Sequence, residues 1–98
     1  MYKEIFDNNL DIVCEMYAVK KKDIFTKTKK RPVSEARYAL YYLCDKAGMR
    51  NVYIQSFMQA NKYIIGHSNI IQGIEAVKDR IKKEPMFKAA FENYNKQV

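Results

Sequence analysis

The sequence predicts a single all-α domain of five or six helices. Three observations carry that expectation. Apolar residues recur at helical spacing along most of the 98 residues, strand-like alternation is scarce, and only three Gly and two Pro interrupt the pattern. A chain of this length holds one domain, residues 1–98, and buries roughly two-thirds of its unfolded surface. The 48% apolar and 13% aromatic residues are enough for one bulky core.

The elements follow in order. Phe6, Leu10, Val13 and Tyr17 lie at i, i+4, i+7 and i+11, one face of a helix from about Tyr2 to Ala18. Asp23-Ile-Phe-Thr reads as a short helical turn capped by Asp23. A basic stretch runs to Arg31, and Pro32 prevents a helix from passing through it. Ala36, Leu40, Leu43 and Ala47 mark the next stripe, and Gly48 stands where a helix end wants a left-handed residue. Asn51 to about Ala60 forms a shorter helix with Ile54, Phe57 and Met58 on one side and Asn51 as N-cap. Asn61–Gly66 fits strand, loop or helix end. The clearest helix then follows Ser68 and Asn69, both good N-caps, with Ile70, Ile74, Val77 and Ile81 on one face and a stop before Pro85. Phe87, Phe91 and Tyr94 define a short final helix.

Formal net charge is +7, and its location matters more than its size. Residues 1–19 carry one Lys against four acids, whereas residues 20–31 carry seven basic groups against Asp23 alone. Such a cluster is the footprint of polyanion binding, with a solvated loop as the plainer alternative. It lacks the apolar face of a membrane-surface helix, so lipid is the weakest reading.

Other classes are set aside by what the chain lacks. No apolar run approaches the roughly 18 residues of a membrane span, and Met1–Leu10, with Glu4 and Asp7, does not read as a signal peptide. Cytoplasmic location is therefore expected, nucleoid-associated or in a host cytoplasm. Cys14 and Cys44 suit buried free thiols, and with His67 the sole histidine no metal site is expected. Neither GxxxxGK[ST] nor GxGxxG is present, no Ser/His or Cys/His pair is formed without His67, and no carboxylate pair stands in an apolar setting. The expectation is a non-enzymatic protein without cofactor.

The helix beginning near His67 carries Ser68, Asn69, Gln72, Gly73, Ala76, Arg80 and Lys83 opposite its apolar stripe. Short polar residues near the start suit base edges in a major groove, since Asn and Gln pair bidentately with adenine and small residues permit close approach. An ordinary amphipathic helix with a solvated face is the plainer alternative.

The order of four segments adds weight. Val13, Glu15 and Tyr17 in the first helix are followed by Asp23-Ile-Phe-Thr-Lys and a basic loop. Then come Val33-Ser-Glu-Ala-Arg-Tyr-Ala-Leu-Tyr-Tyr-Leu and His67-Ser-Asn-Ile-Ile-Gln-Gly-Ile. From about Ile12 to Ile81 this resembles the C-terminal DNA-binding domain of the bacterial replication initiator DnaA, a Trp-repressor-like helix-turn-helix module. The last two segments are similar to that family's V-x-x-x-R-x-x-x-x-x-L helix start and its D-H-T-T-V-L-H-A signature. The resemblance implies sequence-dependent binding of double-stranded DNA through a helix-turn-helix and a basic loop. By it, Arg37 enters the minor groove, and Lys27, Lys29, Lys30 and Arg31 form the loop that contacts the backbone. His67, Ser68 and Asn69 begin the recognition helix, with Gln72 one turn further on.

The sequence also departs from that pattern. The acidic residue before the histidine is Gly66 here, an arginine-rich turn is replaced by Lys62-Tyr-Ile-Ile, and that turn is about four residues longer. No ATPase module lies within the 98 residues, so a free-standing module is expected, as in a phage, plasmid or transposon gene, acting in replication initiation control or transcription. Besides duplex DNA, a host or phage replication or capsid protein is the second class of partner considered. The rival readings are a protein-interaction module that has lost DNA reading, with Tyr53, Phe57 and Tyr63 as its exposed aromatics, and RNA binding through the basic loop.

Overall fold

The segment Arg31–Lys46 is buried on nearly every side from Val33 to Cys44, because it lies at the centre of the molecule. The computed structural model describes residues 2–95 and shows six helices and no strand among them. In chain order they are α1 (Tyr2–Tyr17), α2 (Lys21–Ile24), α3 (Arg31–Lys46), α4 (Asn51–Ala60), α5 (His67–Lys83) and α6 (Pro85–Asn95). The all-α class expected from the apolar spacing is observed. Helices α1 and α5 pack along α3, with α4 bridging them and α6 closing one end.

Each apolar stripe meets the same core. Phe6, Leu10 and Val13 of α1 join Ala36, Leu40 and Leu43 of α3, Ile54 and Met58 of α4, and Ile70, Ile74 and Val77 of α5 in one buried cluster. Phe91 of α6 enters it edge-on to Tyr42 at 5.4 Å, while Phe87 lies 5.4 Å from Phe91. The expected contribution of Tyr94 falls outside the described side chains. Cys44 is fully buried and its sulfur accepts a hydrogen bond from Asn9 at 3.6 Å; burial pushes the thiol up to about 12. Cys14, expected to be buried, is only half-buried, its thiol also raised by desolvation.

Three helices end in the same device. After α1, α3 and α4 the chain turns through a left-handed residue, Ala18 (φ 54°), Gly48 (φ 90°) and Lys62 (φ 66°). In each case the next amide donates back five residues: Val19 to Cys14, Met49 to Cys44 and Tyr63 to Met58, all at 3.0 Å. This is the Schellman arrangement, which satisfies carbonyls that the helix leaves free. Only Gly48 announces it in the sequence, since Ala and Lys are poor residues for positive φ.

The caps differ from expectation at three starts. Asp23 does not open α2; it sits in its first turn and accepts the Lys20 amide at 3.3 Å, because the helix starts two residues earlier. Arg50 rather than Asn51 is the N-cap of α4. Gly66 is the N-cap of α5, so Ser68 and Asn69 lie inside its first turn. Ala47, expected on the α3 stripe, is the exposed C-cap. Gly73 is corrected too. It is buried at the crossing of α3 and α5 instead of facing outward, and a Cβ there would stand 2.7 Å from Tyr38 Cδ1 and 2.9 Å from Tyr41 Cδ2.

Two outcomes follow for chemical denaturation. Gly73→Ala is expected to destabilise by about 1–3 kcal/mol, because the buried Tyr41 ring has no room to retreat. Ala18→Gly and Lys62→Gly are each expected to stabilise by about 0.5–1 kcal/mol, since glycine removes the positive-φ penalty in a motif that is already formed.

Candidate functional site

The basic run folds into the end of α2, the connection 25–30 and the first residue of α3. Pro32 sits in the first turn of α3, where its missing N–H is not needed. Lys27, Lys29, Lys30 and Arg31 are all exposed, as the sequence reading expected. Lys21 pairs with Asp11 at 2.9 Å and Arg31 with Glu35 at 3.3 Å. Lys20, Lys22, Lys27, Lys29 and Lys30 make no ion pair among the described residues. Five ammonium groups therefore project from a short segment, none of them ion-paired, with Asp23 the one carboxylate within it.

Arg37 is where the expectation is corrected. It does not project from the polar side of its helix toward a groove, since it is only 5% exposed. Its Nε donates to Ile24 O at 2.7 Å, one terminal nitrogen to Thr28 O at 3.2 Å, and the other to Asp23 O at 3.3 Å and to Thr26 O. Tyr63 lies across the guanidinium, 4.8 Å from ring centroid to Cζ. The physical reason is local. The Asp23 and Thr26 carbonyls each accept one local amide, from Thr26 and Thr28, whereas those of Ile24 and Thr28 have no backbone donor among the described residues, and a planar five-donor cation can serve all four at once. Arg37 thus ties the basic connection to α3 and clamps it beneath the α4–α5 connection. It has no carboxylate partner among the described residues, so the region keeps its positive charge.

The α4–α5 connection is held from the other side by Gln55, whose Nε2 donates to Ile65 O at 2.8 Å. This fixes the start of α5. His67, Ser68, Asn69 and Gln72 are exposed there. None is used for capping, because Gly66 holds that position and has no side chain. Sequence reasoning missed Ile71, which is 48% exposed on the same end of α5, beyond the buried stripe. Its signal was an isoleucine one step out of register with Ile70 and Ile74. The far half of α5 differs from expectation. Arg80 is bound to Glu35 at 3.4 Å and Glu84 at 3.1 Å and covers Phe87 at 4.2 Å, while Lys83 pairs with Asp79 at 3.2 Å. Of the basic groups on the far half of α5, Arg80 and Lys83 are thus ion-paired, while Lys78 and Lys82 are exposed and make no ion pair among the described residues.

The two regions meet across a cleft of about 280 Å3. Lys29, Ser34 and Arg37 line one side, and Tyr63, Ile65 and Asn69 the other. Tyr38 and Tyr41 complete the lining, which contains no carboxylate. Three of the residues expected to share a site, Lys29, Arg37 and Asn69, are thus brought together. Lys27, Lys30 and Arg31 flank the cleft on the loop side in sequence, and His67, Ser68 and Gln72 on the helix side.

Among the described residues, no group of three His, Cys, Asp or Glu side chains gathers to hold a metal ion. No described helix is long and apolar enough to cross a membrane. No protein-family model, curated protein or solved structure matches the chain.

The clamp makes a quantitative expectation. Arg37→Met keeps the aliphatic stem but strands the carbonyls of Ile24 and Thr28 and leaves those of Asp23 and Thr26 with one local amide each. Urea denaturation should show a loss of about 3 kcal/mol, with Arg37→Lys restoring less than half because an ammonium cannot reach the same fan of acceptors.

Proposed function

We propose that the protein binds double-stranded DNA, with the 25–30 connection on the backbone and the start of α5 in the adjacent major groove. The observation that carries this reading is the apposition across one cleft of an uncompensated basic segment and a helix start bearing free His, Ser, Asn and Gln side chains. Phosphate contacts position a protein and base contacts specify its site, so the two halves have complementary tasks. In this reading α4, the 61–66 connection and α5 act as a helix-turn-helix. The DnaA-like order of segments belongs to the same proposal, as does a role in replication control or transcription. Arg37 enters it differently from the family pattern: it is a positioning residue that holds the basic segment, not a group that reads a groove.

Fluorescence anisotropy across a salt series tests the reading, using a random duplex and a duplex carrying the DnaA recognition box. Contacts to about four phosphates give a slope of log affinity against log salt near −4. Replacing Lys27, Lys29 and Lys30 together with Ala should flatten that slope by about 3 and weaken both duplexes alike. Replacing Ser68 and Gln72 with Ala should instead lower discrimination between the duplexes and leave the slope nearly unchanged. Absence of binding at low salt, or equal affinity of the triple-lysine variant, overturns the proposal.

One observation favours a protein-interaction module as the second reading. Ile64 is 62% and Ile71 48% exposed, and Val52 and Tyr53 are exposed at the start of α4. A concentration-dependent increase in mass by light scattering, without any DNA binding, is the result that reading requires.

A further inference from the structure

The cleft between the basic segment and α5 holds a hydroxyl that the fold does not use. Tyr41 is 2% exposed, with its ring against Gly73 of α5. Its Oη has no hydrogen-bond partner among the described residues, yet no buried side-chain oxygen or nitrogen there is both sealed from solvent and unpaired. The hydroxyl therefore keeps contact with solvent, and Tyr63, Arg37 and Tyr38, the groups that act on it electrostatically, all line with Tyr41 the cleft shared with Lys29 and Asn69. Burial raises its titration well above the ordinary tyrosine range, so it stays protonated and able to donate.

The surroundings fix the chemistry of what would satisfy it. Two cationic side chains line the cleft and no carboxylate does. The Arg37 charge is met only by carbonyl dipoles and the Tyr63 face. Lys29, Tyr41 and Asn69 bring a mobile cation, a fixed phenol and a side-chain amide, all hydrogen-bond donors. A purely apolar guest would leave those donors unmet, and a cation would face two like charges. A compact oxygen-rich anion meets all of them.

We infer that this cleft seats one phosphate group, with Lys29 supplying charge and the Tyr41 hydroxyl and Asn69 amide fixing its oxygens. The source of that phosphate rests on the duplex-binding reading: a backbone phosphate gripped here would set how the start of α5 enters the groove. A free phosphate or phosphomonoester offers the same chemistry.

The test uses the intact chain and has two arms. In the first, inorganic phosphate is titrated into isotope-labelled protein and followed by amide and side-chain NMR, with sodium chloride at matched ionic strength as control. Saturable shifts centred on Tyr41, Tyr63 and Asn69, weakened about fivefold or more in Tyr41→Phe, support the seat. Because the hydroxyl has no internal partner, Tyr41→Phe should move the melting temperature by no more than about 2 °C. Asn69→Ala, at an exposed position, serves as the second variant. In the second arm, a duplex in which single phosphates are replaced by neutral methylphosphonates is compared with the unmodified duplex. One position should weaken wild-type binding about tenfold and have no further effect in Tyr41→Phe. Phosphate shifts without duplex binding would support the seat with a free phosphoryl compound as its source, while the DNA reading fails. Duplex binding that Tyr41→Phe leaves unchanged, or phosphate shifts no larger than those from chloride, overturns the inference and leaves the DNA reading standing.

Discussion

One buried guanidinium organises the basic side of this molecule. Arg37 leaves α3 and takes up carbonyls from Asp23, Ile24, Thr26 and Thr28, so a segment with little apolar content follows a defined path. Ile24 is the only fully buried side chain in that segment, and alone it could not fix six residues of backbone. Tyr63 closes the guanidinium from the α4–α5 side. Four pieces of chain (the end of α2, the basic connection, α3 and the approach to α5) are thereby referenced to a single planar group. A lysine in the same place would offer one compact point of attachment in place of a fork. A carboxylate partner would have held the arginine equally well, but it would have reduced the local positive charge. Carbonyl dipoles hold the cation and leave its charge in the field.

That choice fits the rest of the charge map. Arg80 and Lys83 are matched with acids near the end of α5, and Lys21 with Asp11 on α1. These partly or fully exposed pairs contribute little to stability, but each offsets one positive group away from the cleft. On the connection next to the cleft, Lys27, Lys29 and Lys30 remain unpaired among the described residues. The close approach of α3 and α5 at Gly73 brings this connection beside the start of α5, because a larger residue would push the two helices apart. Packing in the core and electrostatics at the surface therefore act on the same geometry.

Much of the fold was legible in the sequence, and the reason is periodicity. Phe6-Leu10-Val13, Ala36-Leu40-Leu43 and Ile70-Ile74-Val77 each sit in the core as their spacing implies. Boundaries were less legible where the deciding interaction is not local. Ala18 and Lys62 end their helices in the left-handed region although neither residue type signals it, because the turn is imposed by where α2 and α5 must begin. Ser68 and Asn69 read as caps, yet the helix extends back to His67 and frees both. The basic segment was plain from composition alone. Arg37 was not, since an arginine flanked by a basic run reads as solvated until the carbonyls it gathers, 9–14 residues earlier, are seen around it. Gly73 had the same ambiguity: a small residue on a helix marks close approach, but the sequence does not say whether to a ligand or to a neighbouring helix.

The burial of Arg37 also changes what binding would require. Ordering a residue's backbone costs about 1–2 kcal/mol in conformational entropy, so a free six-residue basic loop would lose much of its electrostatic gain when it settled on a polyanion. Here that ordering is met at folding, through hydrogen bonds that exist without a ligand. The flexible part is confined to the lysine side chains, whose long stems adjust to phosphate spacing while the backbone stays fixed. On the opposite wall, Asn69 stands on a helix whose start is held by the Gln55 contact to Ile65. A partner entering the cleft therefore meets two surfaces already set at a fixed separation. The geometry of recognition is then decided by the fold, and mobile ammonium groups supply attraction. This division explains why the residue that best matched a reading role in sequence is instead buried behind the surface: it determines where the exposed side chains on both walls of the cleft stand.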